Sequence, residues 1–436
     1  MSVQRLEQCL HLLEGIDEMP RIGRVIRLVG LTIESEGPRS EVGDLVEIRP
    51  AKRPPLLAEV VGFRGDTNIL MPLGETAGVS AGTPVYSLGR ELQILAGEEL
   101  KGRVLDALGR PIDGKPYPSV KEKVAVHRSA PHPLERNPID VPLGLGVRAI
   151  DALITCGRGQ RLGIFAGSGV GKSTLLGMMA RGSEADVNVI ALIGERGREV
   201  GEFIQRDLGD EGLARSVVVV ATSDQPAMLR VKGAFVATAI AEYFRDQGQN
   251  VLLMMDSITR FAFAQREVGL ASGEPPATKG YTPSVFALLP RLLERAGNNG
   301  KGSITSLYTV LVEGDDLNDP IADAVRGILD GHIVLSRRLA ERAHYPSIDV
   351  LASVSRSMLY VVPKEQMRAA ARMRELLAAY REAEDLVNIG AYSRGNNPTV
   401  DEALDRIEAI NGFLRQDVDE IAPFQETMER LISIVS

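Results

Sequence analysis

A chain of 436 residues, 44% apolar and 25% charged, is too long for one ordinary core and can fill about two to four. Its net charge of −8 speaks against a general nucleic-acid or membrane-surface binder, because such partners are held by Lys and Arg neutralising phosphate. Cys9 and Cys156 stand far apart with no C-x-x-C or His companion, and no stretch reaches the roughly 18 apolar residues of a membrane span. Disulfide frameworks, zinc sites and bilayer helices are therefore excluded, and reduced cytosol is the expected compartment.

Residues 3 to 16 carry Val3, Leu6, Cys9, Leu10, Leu13 and Ile16 at helical spacing among polar residues, which predicts a short amphipathic helix. It either packs on the chain's own next domain or docks into a partner protein. From residue 21 to about 93 the texture changes to short β-type runs, among them Val25 to Val29, Leu45 to Ile48, Ala58 to Phe63 and Pro84 to Leu88, separated by glycines and prolines. Six such runs predict a small β-barrel. Residues 98 to 150 are rich in turn signals and read as a connection wrapping the edge of the next domain. Near-continuous apolar strands then alternate with helical stretches to about Ser357, the pattern of a mostly parallel sheet covered on both faces. The tail from Lys364 is helical, in three segments around Met367 to Arg381, Val400 to Leu414 and Met428 to Ile432. The expected fold is thus α/β, a P-loop NTPase core with an N-terminal β-barrel and a C-terminal helical domain. Its expected divisions are 1–20, 21–93, 94–361 and 362–436.

The chemistry sits in Ala166-Gly167-Ser168-Gly169-Val170-Gly171-Lys172-Ser173-Thr174, between the apolar run Leu162 to Phe165 and the helical run from Leu175. Strand, glycine loop and helix in that order form a phosphate cradle: backbone N–H groups from Gly167 to Thr174 turn toward the phosphates, Lys172 reaches the terminal ones and Ser173 offers a hydroxyl to Mg²⁺. Alanine replaces the usual first glycine, which fits if Ala166 ends the strand at negative φ. Asp256 follows five apolar residues, where an open parallel sheet places its ligands, and can hold Mg²⁺ through water. Gly194-Glu195-Arg196-Gly197-Arg198-Glu199 also follows a buried strand and supplies a carboxylate for an attacking water beside arginines for phosphate.

Together with Tyr345-Pro346-Ser347-Ile348-Asp349 and Ser353-Val354-Ser355-Arg356, these segments resemble the catalytic subunits of rotary ATP synthases and their type III secretion relatives. Gly273-Glu274-Pro275-Pro276-Ala277-Thr278-Lys279-Gly280-Tyr281 and Asn388-Ile389-Gly390-Ala391-Tyr392 are similar to the flagellar export ATPases. The resemblance implies that Glu195 orients water, Arg196 contacts the γ-phosphate and Glu199 stands behind the metal. It implies that Arg356 is an arginine finger entering a neighbour's site and that Tyr345 packs on the base. The implied cofactors are ATP and Mg²⁺, and the implied assembly is a homohexamer around a central stalk-like protein. Further implied partners are a stator or regulator protein at the N-terminal helix, export chaperone–substrate complexes and the export gate, with the enzyme peripheral at the inner membrane. The acidic stalk-facing loop of rotary catalytic subunits is absent and Ala391 to Pro398 stands in its place.

The expected function is ATP hydrolysis energising flagellar protein export. A virulence-type injectisome ATPase shares every one of these motifs. A Rho-like nucleic-acid motor is disfavoured by the acidic balance and by the lack of interleaved aromatic and basic residues over 21–90, so no nucleic-acid partner is expected. A non-hydrolysing nucleotide-binding module is disfavoured by Glu195.

Overall fold

The computed structural model of the chain describes residues 22–120, 122–312 and 319–436. The helix expected over residues 3 to 16 lies outside the described residues. The chain divides into two compact units, one built on the barrel and the other on the P-loop sheet with the C-terminal helices.

In the first unit six strands close a barrel: β1 (Ile22–Val29), β2 (Thr32–Glu36), β3 (Leu45–Ile48), β4 (Leu56–Arg64), β5 (Thr67–Pro72) and β6 (Pro84–Ser87), in the order β1-β2-β5-β4-β3-β6. Alternation directs Val25, Ile33, Val46, Val60, Leu70 and Val85 inward, each at most 2% exposed. Gly23 lets β1 cross the turn at Gly37, since a Cβ there would stand 2.1 Å from the Gly37 carbonyl carbon.

The second unit is organised by a sheet of β7 (Arg103–Asp106), β8 (Arg161–Ala166), β9 (Val187–Ile193), β10 (Ser216–Ala221), β11 (Asn250–Asp256), β12 (Ser303–Leu311), β13 (Gly331–Leu335) and β14 (Val354–Ser355). Their order is β14-β13-β8-β12-β11-β9-β10-β7, and all pairings along it are parallel except β13 with β14. All seven residues of β9 and all six of β10 are buried, as a sheet covered on both faces requires. Two strands depart from the sequence reading, Glu122–Ala125, which pairs antiparallel with Gln93–Ala96, and Arg103–Asp106 of this sheet. Arg103–Asp106 lies in the region read as a connection, yet it pairs in parallel with β10 and completes that edge. Four residues carrying a charge at each end leave no apolar periodicity to read. What holds the strand is the Arg103–Asp113 ion pair, at 2.7 and 2.8 Å.

The helices used below are α1 (Arg148–Leu153), α2 (Lys172–Gly182), α3 (Ala227–Asp246), α4 (Lys364–Asn388), α5 (Pro398–Leu414) and α6 (Phe424–Val435). The expected tail helices are α4, α5 and α6. Asn397 caps α5 by accepting from the N–H groups of Thr399 and Val400, with Pro398 at the first helical position. The helical domain shares one apolar core with the sheet domain, where Leu153 and Ile154 meet Met373, Leu376, Phe413 and Leu431. Polar bonds reinforce the joint: Gln366 donates to Asp151 O and Thr155 Oγ1, and Arg374 donates to Leu153 O and Ser353 O.

Across the sheet from that joint, α3 carries Glu242 into the interior, where it takes both ends of the Arg295 guanidinium at 2.8 and 2.6 Å. Both side chains are 1% exposed, and Arg295 also donates to Val126 O. A buried pair of this kind is costly to break because the remaining charge keeps no partner. Glu242→Leu is expected to cost about 3–5 kcal/mol, whereas the double change with Arg295→Met recovers most of that loss. Urea unfolding followed by circular dichroism of both variants checks this.

Candidate functional site

The phosphate loop is set by what precedes and follows it. β8 ends in buried Ala166, whose carbonyl accepts from the Val312 N–H, and the reversals fall on Gly169 (φ 77°) and Gly171 (φ 87°). Both lie in the left-handed region that favours glycine, while Ala166 does not. The alanine therefore fits the strand end without strain. From Gly171 the chain enters α2, whose first turn carries Lys172, Ser173 and Thr174; the Ser173 side chain faces solvent. Gly167 is buried, Ser168 is exposed, and the Val170 carbonyl accepts from Ser347 Oγ at 2.6 Å.

Lys172 joins the ends of three strands. Its Nζ lies 2.5 Å from Asp256 Oδ1, at the end of β11, and 3.8 Å from Glu195 Oε1, just past β9. The β9–β11 register opposes Leu192 to Asp256, which brings both carboxylates to one level at the sheet's C-terminal edge. Asp256 is 4% exposed and also accepts from Thr309 Oγ1 at 2.7 Å. Burial, and next the Asp256 charge, push the Glu195 carboxyl up to about 7, with Lys172 acting against them. Glu199 shares a hydrogen bond with Glu195. Burial pushes its carboxyl up, but that bond, the Arg196 N–H and the charges of Arg196 and Lys172 together bring it below the usual carboxylate range.

Tyr345 reaches the loop from the other side, and a Cβ on Gly171 would stand 3.7 Å from its ring. Between them opens a cavity of about 830 Å³, lined by Gly169, Gly171 and Thr174, by Tyr345, and by Gln416 and Val418 from the segment joining α5 to α6. That volume suits a nucleotide. Its walls are pinned by Gln416, which is 5% exposed. The Gln416 N–H donates to Tyr345 O at 3.0 Å, its Oε1 accepts from the Arg148 N–H at 2.9 Å, and its Nε2 donates to Gly146 O at 2.8 Å.

Two of the residues singled out in the sequence stand apart from this cluster. Arg196 is 78% exposed and pairs with Glu199 at 3.3 Å, on the solvent side of the loop. Arg356 is exposed, directly after β14, whose Ser355 pairs with Gly331 at the start of β13. The P-loop follows Ala166, which pairs with Leu335 at the other end of that strand. Four strand steps, about 13 Å, separate the two levels, so Arg356 lies at the sheet end opposite its own phosphate loop. Thr309 and Gln416 were not read from the sequence, and Ser347 and Arg260 were given no role there. Arg260 follows Asp256 by one helical turn, its stem fills the space a Cβ on Gly194 would occupy (2.7 Å), and its buried Nε has no hydrogen-bond partner among the described residues.

Oxygen donors prevail here, the Ser173 hydroxyl and the Asp256 carboxylate, and the described residues hold no cluster of three or more His, Cys, Asp or Glu able to cage an ion. Hard oxygen donors in small number fit Mg²⁺, which completes its shell with water and phosphate oxygens. No helix among the described residues is long and apolar enough to cross a membrane.

Residues 25–89 match the ATP synthase alpha/beta family, beta-barrel domain, residues 146–355 the nucleotide-binding domain of that family, and residues 362–433 the T3SS EscN ATPase C-terminal domain. The chain is 55% identical over 436 residues to the flagellum-specific ATP synthase of Bacillus subtilis (strain 168), covering 100% of this chain and 99% of that protein. It is 54% identical over 415 residues to the type 3 secretion system ATPase of Xanthomonas euvesicatoria, covering 95% and 94%. The assembled ATPase EscN of enteropathogenic E. coli, solved with its central stalk EscO, superposes with a TM-score of 0.89 at 49% identity, over 95% of this chain and 100% of that one. End-to-end identity of this order, three domain matches in sequence and a phosphate loop backed by buried acids place the chain in the ATP synthase alpha/beta family, among its flagellum-specific and type 3 secretion ATPases.

Proposed function

We propose that the chain hydrolyses MgATP to energise the export of flagellar proteins, with its active sites at the interfaces of a homo-oligomer. The observation that carries this reading is the convergence of Lys172, Glu195 and Asp256 within 4 Å beneath the phosphate loop. The N–H groups of Gly167 to Thr174 receive the β- and γ-phosphates, and Lys172 leaves its carboxylates to meet them. Ser173 and, through water, Asp256 would hold Mg²⁺, with Glu199 behind them, and when bound it would supply charge screening for the phosphates. Glu195 orients the attacking water, and Arg260 and the solvent-side Arg196 supply positive charge toward the γ-phosphate. Tyr345 stacks on the base. We further assign Arg356 to the site of the neighbouring copy, because it lies at the opposite end of the sheet from its own.

The same reading gives the remaining partners. The tip between α4 and α5, with Ile389 76% exposed and Arg394 65% exposed, faces a central stalk-like protein, in line with the stalk-bound assembly of EscN. The segment before residue 21 takes a stator or regulator protein, and chaperone-bound substrates and the membrane export gate complete the machine. An injectisome role is supported by the 54% identity to a type 3 secretion ATPase, and it is the outcome to separate experimentally.

Glu195→Gln is expected to lower turnover about 100-fold or more while MgATP binding stays within a few-fold, as measured by phosphate release and by titration with a fluorescent nucleotide. Retained turnover removes Glu195 from the role. Arg356→Ala alone is also expected to be inactive, yet mixing it with Glu195→Gln should restore part of the hydrolysis, since the first variant brings intact glutamates and the second intact arginines. No recovery on mixing argues that both groups serve one chain's own site. With Glu195→Gln replacing the native chain in its own cell, flagellin export and swimming should fall at unchanged protein level. Normal swimming assigns the ATPase to an injectisome.

A further inference from the structure

A second cavity, of about 220 Å³, lies where the segment from Ser336 to Leu351 meets α4 and α5. Its floor is apolar, formed by Leu339, Ile348, Leu377, Ile407 and Leu414. Its rim is basic. Arg338 and Arg342 both donate to the single carboxylate of Glu384, and Arg381 pairs with Asp349 at 3.0 Å. Asp349 is occupied further by the N–H groups of Leu351 and Ala352. Arg415, the fourth guanidinium, makes no ion pair among the described residues. Four cations thus face two carboxylates, leaving two positive charges in excess around a lining in which these apolar side chains stand beside Tyr380 and Asn411. Burial, and next the Arg415 charge, hold the His344 imidazole below its ordinary range, so it adds no further positive charge.

We propose that this cleft binds a small amphipathic anion, an aryl or acyl acid whose apolar body fills the floor and whose acidic group meets the guanidinium rim. The cavity is smaller than the one beside the phosphate loop, and a basic rim beside apolar side chains selects one charge on a small hydrophobic body. The site is separate from the phosphate loop, but an occupant would bridge the segment carrying Tyr345 to the helical domain. Arg415 borders both cavities.

Anilinonaphthalene sulfonate is the probe, with fluorescence titration of the full chain as the readout. The expected result is one saturable equivalent per chain that persists at saturating MgADP. Ile407→Trp fills the floor without changing charge and should remove that equivalent, while Arg342→Gln, at the exposed rim, should weaken it about tenfold, a difference near 1.4 kcal/mol. Circular dichroism melting verifies that each variant is folded; if Ile407→Trp is not, Arg342→Gln carries the test. Displacement of the probe in proportion to MgADP occupancy overturns the proposal, as does an undiminished equivalent in either folded variant or the absence of saturable binding.

Discussion

One ammonium stands between two carboxylates at the end of the sheet, Asp256 buried and Glu195 partly buried. Lys172 comes from the helix after β8, Glu195 from the turn after β9, and Asp256 from the last residue of β11. At 4 Å an ion pair is worth several kcal/mol in a partly desolvated setting, and two like charges repel on the same scale. The three groups can therefore coexist only while the strands hold their register. Burial, and next the Asp256 charge, push the Glu195 carboxyl up to about 7, and the single ammonium of Lys172 does not offset both. The buried strands β9 and β10 are the scaffold for that alignment.

The second dependence is on the helical domain. Gln416 spends its donors and acceptor on three segments at once, the Tyr345 loop, the turn at Gly146 and the start of α1. Arg148, 5% exposed, donates to Phe413 O and Arg415 O and pairs with Glu420. The outer wall of the nucleotide cavity therefore belongs to a different domain from its inner wall. Ser347 ties the Tyr345 loop to the Val170 carbonyl of the phosphate loop.

The sequence made the local features legible and the distant ones invisible. The phosphate loop, the acid after β11 and the acid after β9 each follow an apolar run, and a strand, turn and charge in sequence are enough to read. The barrel strands and tail helices carry their own periodicity. Arg103–Asp106 does not, because its place at the sheet edge is decided by Asp113 and by pairing with β10. Gln416 lies 268 positions from Arg148, and Ser347 lies 177 from Val170. A single hydrogen bond over such separations leaves no pattern in the intervening chain. Arg196 and Arg260 show the converse: adjacency to the glutamate suggested the first, while burial behind Gly194 singles out the second.

The helix α4 runs 25 residues, about 37 Å at the helical rise. Gln366, Ala369, Ala370, Met373 and Leu376 fix one end in the shared core, whereas Leu386 and Ile389 stand exposed at the other. The fixed end of this rod is where Gln366 meets Asp151 and Thr155 of the sheet domain. A tilt of about 5° at that end would carry the exposed tip through roughly 3 Å, a stroke comparable with a hydrogen-bond length.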